Sequence, residues 1–118
     1  MVKLTVMYTL PEGADHEEFL RWRTTEHQEE NMGIPGVIKS DFYAVSDIYS
    51  HDTAGGDGGK LKEEKRFYRY ITEAYWPDMD SFKNVFFDSG YQKNLMESLK
   101  KIADPIFLVS EEVLSEET

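Results

Sequence analysis

Arg23, Glu26, His27 and Glu30 lie close together in the first third of the chain. A guanidinium, an imidazole and two carboxylates are the ingredients of general acid–base work. The imidazole can give or take a proton near neutrality, and the guanidinium can hold an anionic or carbonyl oxygen. Their spacing decides whether they share a face. On a helix with Phe19 set at 0° and about 100° added per residue, Leu20 falls at about 100°, so the apolar stripe centres near about 50°. Arg23 (about 40°), Glu30 (about 20°) and His27 (about 80°) lie inside it, with Glu26 at its edge. Glu17, Arg21, Thr24, Thr25, Gln28 and Glu29 take the opposite, solvent side. Buried charges are costly unless paired or wet, so this half of the helix should border a cavity. Two readings stay open. In one, Arg23, Glu26 and Glu30 pair with one another while His27 fills a satisfied core position. In the other, His27 is a proton shuttle and Arg23 holds a ligand's oxygen.

Other chemistries have less behind them. The chain has no Cys, which removes disulfides, thiolate catalysis, thiolate zinc sites and iron–sulfur clusters. His16, His27 and His51 show no i, i+4 pairing, and Asp47 with His51 is a thin constellation, so no metal is expected. No nucleophile-elbow sequence supports a Ser-His-Asp hydrolase. The glycines 55, 56, 58 and 59 precede Lys60-Leu61, not a lysine followed by Ser or Thr and a helix. That stretch, His51 to Lys65, reads as a flexible hairpin tip rather than a phosphate loop. A net charge of −10 repels phosphate backbones and anionic lipid, so neither nucleic acid nor membrane is an expected partner. The N-terminus reads as a strand, not a secretory signal, and a cytoplasmic location is expected.

The 118 residues, 40% of them hydrophobic, suit one domain spanning 1–118. Val2, Leu4, Val6 and Tyr8 alternate as a strand. Asp15 with Glu18 has capping-box spacing and opens a helix running to about Met32, before Gly33 and Pro35. Further strands are predicted over Val37 to Tyr49 and Arg66 to Trp76. Asp78 caps a short helix carrying Phe82, Val85 and Phe86. Ser89 with Gln92 opens a second one, carrying Tyr91, Leu95, Leu99 and Ile102. Asp104-Pro105 halts it, and a last strand runs from Ile106 to about Val113. The acidic end of the chain reads as a solvated tail. The order β-α-β-β-α-β is that of a ferredoxin-like α+β sandwich, an antiparallel sheet with helices on one face. Strands two and three carry apolar residues on both faces, which argues that an identical subunit covers the second face. Parity puts Tyr70 and Trp76 on one face of strand three. They and Phe42 are candidate walls of an apolar pocket.

Several short motifs together resemble the EthD-like family of dimeric α+β barrels. They are Thr25-Glu26-His27, Ile34-Pro35-Gly36-Val37, Tyr70 to Trp76, Asp78 to Phe82 and Ser89-Gly90-Tyr91-Gln92. The resemblance implies two ferredoxin-like subunits packed sheet to sheet, each with a pocket between sheet and helices. Relatives of similar size include cofactor-free methylmuconolactone isomerases, anthrone-type dehydratases and small monooxygenases, and the resemblance makes His27 the functional histidine. The sequence departs from the family pattern in two places. Gln28-Glu29 follow His27 where many members have a proline, and the stretch Ser50 to Lys65 is longer and richer in glycine. The expectation is a homodimer binding a small apolar or aromatic molecule. As an enzyme it would need no cofactor and would isomerise, dehydrate or oxidise an aromatic, polyketide-like or lactone compound. His27 would be catalytic, and Arg23, Phe42, Tyr70 and Trp76 would contact substrate. The alternative is a non-catalytic binding or accessory protein.

Overall fold

The structure, a computed structural model, describes residues 1–117. The alternating N-terminal residues form β1 (Val2–Thr9), central in a four-stranded antiparallel sheet with β2 (Lys39–Ala44), β5 (Tyr70–Trp76) and β6 (Ala103–Glu111). The strand order is β2-β5-β1-β6. Between β2 and β5 the chain leaves the sheet to form a separate two-stranded ribbon, β3 (Ile48–Asp52) with β4 (Lys60–Glu64). With the ribbon set aside, the order is that of the ferredoxin-like sandwich. The helices are α1 (His16–Thr24), α2 (Glu26–Met32), α3 (Met79–Phe86) and α4 (Ser89–Leu99).

Register fixes which side chains meet. On the face toward the helices, Phe42, Thr72, Val6 and Phe107 form one row across all four strands. Val2, Leu4, Ala74, Trp76 and Phe82 make one buried cluster, and Tyr8, Leu10, Phe19 and Tyr70 make another. Trp76 is 1% exposed and donates its indole N–H to Pro35 O at 3.2 Å. Tyr70 and Trp76 share this inner face, as parity requires. On the outer face, Tyr43, Ile71, Met7 and Ile106 form an apolar row. Two rows further along, Lys39, Tyr75 and Lys3 lie side by side, with Lys3 paired to Glu73 at 3.0 Å and Lys39 to Asp41 at 3.2 Å. The outer face is thus apolar at one end and charged at the other, not apolar throughout.

Several element boundaries depart from the sequence reading. Strand two stops at Ala44 and strand three starts at Tyr70, where Val45 N–H donates to Arg69 O at 2.8 Å. About half of the stretch expected to be a flexible tip is ribbon strand, and residues 53–59 form the turn. The last strand begins at Ala103, because Asp104 at φ 53° and a register shift between Met7 and Thr9 carry the chain through Pro105 without leaving the sheet. It ends at Glu111, not Val113. Asp15 and Asp78 cap as expected, but Asp88 rather than Ser89 caps α4, accepting from Tyr91 N–H at 3.0 Å. Gln92 instead donates to Phe86 O.

The first helix carries the largest correction. It breaks at Thr25 (φ −119°, ψ −92°). Thr24 Oγ1 donates to Leu20 O at 2.7 Å and Thr25 Oγ1 to Arg21 O at 2.6 Å. Hydroxyl back-bonding of this kind competes with the helical ladder and bends it. The break acts as an inserted residue. Arg21 meets Glu26, Trp22 meets His27 and Arg23 meets Gln28, each pair five apart instead of four. Five residues on a continuous helix are about 140° apart and do not touch. A chain lacking Thr25 turns these into i, i+4 pairs. It should keep its fold with stronger circular dichroism at the helical minimum. A melting temperature lowered by more than about 10 °C would show instead that the break itself seats α2 on the sheet.

Candidate functional site

Helices α1, α2 and α4 stand off the inner sheet face and leave a partly enclosed cavity of about 90 Å³, far more than one water requires. The sheet supplies Leu4, Val6, Ala74 and Phe107, and α4 roofs it with Tyr91, Leu95 and Leu99. The helical recurrence of apolar residues in α4 thus covers a cavity, and none of them is fully buried. Polar atoms enter from Tyr8, Arg23, His27, Asn31, Thr72 and Ser98.

Arg23 is the one buried charged residue in the core of the described chain, 2% exposed. Its Nε–H and an Nη2–H donate to Thr72 Oγ1 at 3.4 and 3.3 Å, and an Nη1–H donates to Gln28 Oε1 at 2.7 Å. Gln28 is held in turn by donating to Ser40 O at 3.2 Å. The guanidinium carbon lies 4.5 Å from the Phe42 ring centre. A guanidinium has five N–H donors; these bonds use three, and the Tyr8 phenol faces the group as a further polar neighbour. Among the described residues no carboxylate pairs with it. Glu26 pairs with Arg21 at the surface, and Glu30 is 66% exposed beside His27. The network in which Arg23, Glu26 and Glu30 neutralise one another does not form. The inserted residue explains it: setting residues from 26 onward back by about 100° turns Gln28 inward to about 80° and Glu30 outward to about −80°. Gln28, expected on the solvent side, is thereby the residue that meets Arg23.

His27 is half-buried, its side chain 17% exposed, and stacks on Trp22 with ring centres 4.3 Å apart. Lys101 Nζ lies 4.9 Å from the centre of the same indole. His27 Nδ1 is buried 3.4 Å from Glu30 Oε2, yet out of hydrogen-bonding alignment. Burial, then the positive charge of Arg23, hold the imidazole pKa below its ordinary 6.5, while Glu30 pulls the other way. Burial raises the Tyr8 and Tyr91 pKa values, so both stay neutral phenols at pH 7. Tyr8 Oη lies 3.0 Å from Thr72 Oγ1, extending the polar cluster at Arg23.

Of the residues singled out from sequence, His27, Arg23 and Trp76 line the cavity. Phe42 and Tyr70 do not. They stack on each other at 5.6 Å behind it, with Phe42 backing Arg23 and Tyr70 Oη 2.8 Å from His16 Nδ1. Strand parity puts a side chain on the right face but does not say how far along the sheet the cavity extends. Tyr8, Thr72 and Trp22 are cavity residues the sequence reading missed. Tyr8 and Thr72 could have been found as polar groups on the inner parity of their strands. Trp22 could not, because only the break at Thr25 brings it onto His27. Among the described residues, no group of three His, Asp or Glu side chains comes together to hold a metal ion.

A profile of the EthD domain matches residues 11–106. The chain belongs to the EthD family. Solved structures bear out the fold. An EthD-family protein from Bacillus halodurans superimposes with a TM-score of 0.67 at 19% identity, over 96% of this chain and 99% of that one. SnoaB, described as a cofactor-independent oxygenase from Streptomyces nogalater, gives 0.61 at 12% identity, over 97% and 94%. A dimeric protein of ferredoxin-like fold from Bacteroides fragilis gives 0.58 at 11%, over 94% and 95%. No curated protein matches in sequence. At these identities the neighbours establish the fold of this EthD-family chain and leave its chemistry to its own residues.

Two expectations follow from the electrostatics. A buried cation without a carboxylate is a poor contributor to stability, so Arg23→Met should melt at or above the wild-type temperature. Melting more than about 10 °C lower would make the guanidinium a structural element. His27 should titrate below about 6.5 by NMR. The unfolded chain then binds the proton more readily than the folded one. Stability is full above about pH 6.5 and declines as pH falls through the folded-state pKa. His27→Gln should flatten that decline, measured by chemical denaturation from about pH 7 down to 5.

Proposed function

We propose that this protein binds a small, largely apolar or aromatic molecule bearing a carbonyl or anionic oxygen, and catalyses a cofactor-independent proton transfer on it. One observation carries the reading: a buried guanidinium with no counter-carboxylate among the described residues borders a mostly apolar cavity, with a half-buried imidazole on the same wall. The guanidinium favours negative charge on the ligand's oxygen. The imidazole, held neutral, is ready to accept a proton. In this scheme the proton sits on Nδ1, the ring nitrogen nearer Glu30, and Nε2 is the basic atom. It takes a proton from the carbon beside the carbonyl, the C–H electron pair moves into the carbon skeleton, and the carbonyl oxygen becomes an oxyanion facing Arg23. Returning the proton to another carbon isomerises the ligand. Delivering it to a departing hydroxide dehydrates the ligand instead. A ligand activated in this way is also electron-rich enough for dioxygen to oxidise. Trp76 and Trp22 supply flat apolar wall.

The working unit in this proposal is a homodimer joined through the outer sheet faces. Its support is the apolar row Tyr43, Ile71, Met7 and Ile106, beside which Leu108 is 45% exposed, together with the dimeric description of a neighbour of the same fold. Ile71→Asp should dissociate the dimer in light scattering. A wild-type chain that is monomeric at micromolar concentration defeats the dimer.

A panel of aromatic hydroxy-ketones, anthrones and unsaturated lactones tests the chemistry, first by shifts of the His27 ring signals and then by turnover. His27→Gln should bind the active compound normally and lose about 10²–10⁴ in rate. Arg23→Met should lose binding as well. Full turnover by His27→Gln overturns the catalytic role. Binding by the wild type without turnover of any compound that binds leaves an accessory binding protein.

A further inference from the structure

We propose that Gln28 positions Arg23 at the cavity wall and, being neutral, makes the site select a negatively charged ligand oxygen. The inference rests on the ligand-binding reading above. Gln28 is half-buried on α2. It does not line the cavity, whereas Arg23 does. Whatever Gln28 does to a ligand it therefore does through Arg23, standing behind the guanidinium as Phe42 does.

The chemistry of that position is set from both sides. Arg23 Nη1–H can only donate, and it donates to Gln28 Oε1 at 2.7 Å. Ser40 O, a backbone carbonyl on the edge strand β2, can only accept, and Gln28 Nε2 donates to it at 3.2 Å. The side chain between them must present an acceptor at one end and a donor at the other. A carboxylate has no donor for Ser40 O, and an ammonium has no acceptor for Arg23. A primary amide has both, at the two ends of one rigid plane. The bond to Ser40 O thus turns the amide oxygen toward Arg23. From β5, Thr72 Oγ1 accepts from Nε–H and an Nη2–H at 3.4 and 3.3 Å. The guanidinium is held from two elements, and both holders are neutral.

Neutral holders leave the charge of Arg23 in the site. The titratable groups beside it are Tyr8 on β1 and His27 on α2, and neither is an anion near neutral pH. Those beside His27 are Arg23, Glu30 and Lys101. A cation at the wall of a mostly apolar cavity favours the ionised form of an acidic ligand group over its neutral form. Between two ligands of one shape, the site should take the oxyanion. That is also the charge that gathers on the ligand's oxygen during proton transfer in the proposed reaction. A carboxylate at position 28 would pair with Arg23 and remove this preference, while leaving Ser40 O without its donor.

Para-nitrophenol is a suitable probe, because its one ring carries one acidic hydroxyl and its colour reports ionisation. With the His27 ring signals marking occupancy of the cavity, binding to the wild type should raise the probe's acid dissociation constant about tenfold or more. Gln28→Glu should abolish that gain and move the His27 titration, followed by NMR, to higher pH. Either quantity at its wild-type value in Gln28→Glu overturns the inference. So does a wild type that binds no phenolate or shows no preference for it. Should Gln28→Glu fail to fold, Gln28→Met keeps the length of the side chain and loses both bonds. Arg23 then stays charged but loosely held, and phenolate binding should weaken about threefold or more. Phenolate binding as tight as in the wild type overturns the positioning role. A protein that prefers the phenolate, loses the preference in Gln28→Glu and turns over no compound keeps Gln28 as the positioning residue of a binding site. That outcome removes only the catalytic part of the proposed function.

Discussion

A buried guanidinium that no carboxylate neutralises sets the terms for what packs around Arg23. Removing such a group from water costs several kcal/mol, and the protein answers with neutral dipoles alone. Thr72 comes from β5, Gln28 from α2, and the π-face of Phe42 from β2. Three separate elements thus converge on one charge. Each supplies partial compensation, and none supplies the opposite charge that would make the site electrically complete. Leaving the charge uncompensated makes sense where the compensating charge arrives with, or develops on, a ligand. An Arg–Glu pair in the same place would be neutral, and would have less field to direct at an incoming oxygen.

The site depends equally on one residue of helical phase. Two successive threonines, each returning its hydroxyl to the carbonyl four residues back, end α1 and restart α2 a step late. Here the step does two things at once. It brings an amide, not a carboxylate, to Arg23, and it lays the His27 ring flat on Trp22. On an unbroken helix Glu30 would point into the apolar stripe. A carboxylate there would compete for Arg23 and would raise the imidazole pKa. The shift keeps Glu30 mostly in water, where its pull on His27 is outweighed by burial and by Arg23.

Legibility from sequence followed the same boundary. Strand alternation, the Asp15 and Asp78 caps and the order of elements could be read directly, because each rests on local spacing. The inward positions of Arg23 and His27 were readable too: Arg23 precedes the break, and His27 lies near enough to the stripe's edge for a step of phase not to expel it. Gln28 and Glu30 were misassigned because a helical wheel assumes constant phase, and the competition at Thr24-Thr25 is settled only by geometry. The ribbon was hidden for a related reason. Glycines and charges in residues 51–65 look like loop composition, while the pairing of Ser50 with Lys62 and Tyr49 with Glu63 is non-local. Phe42 and Tyr70 were assigned to the correct face but sit one layer behind the cavity, a distance that parity does not encode.

The pairing of a lowered imidazole pKa with a nearby cation raises a question of balance, since the field that keeps His27 neutral also makes it a weaker base. Under the proposed chemistry the two effects act at different moments. Before proton transfer, Arg23 lowers the basicity of His27 and, through the ligand's oxygen, raises the acidity of the ligand's C–H. During transfer negative charge gathers on that oxygen, offsetting the guanidinium's field just as the imidazole becomes positive. The imidazolium then stands near a paired cation instead of an unpaired one, and Glu30 lies 3.4 Å from its Nδ1. The site is thus poorly matched to the resting ligand and better matched to the charge-separated state, which is the requirement for accelerating a reaction rather than merely binding its substrate. An uncharged apolar ligand with no such oxygen would neutralise nothing. The guanidinium would stay uncompensated, and the cavity would favour it less at every stage.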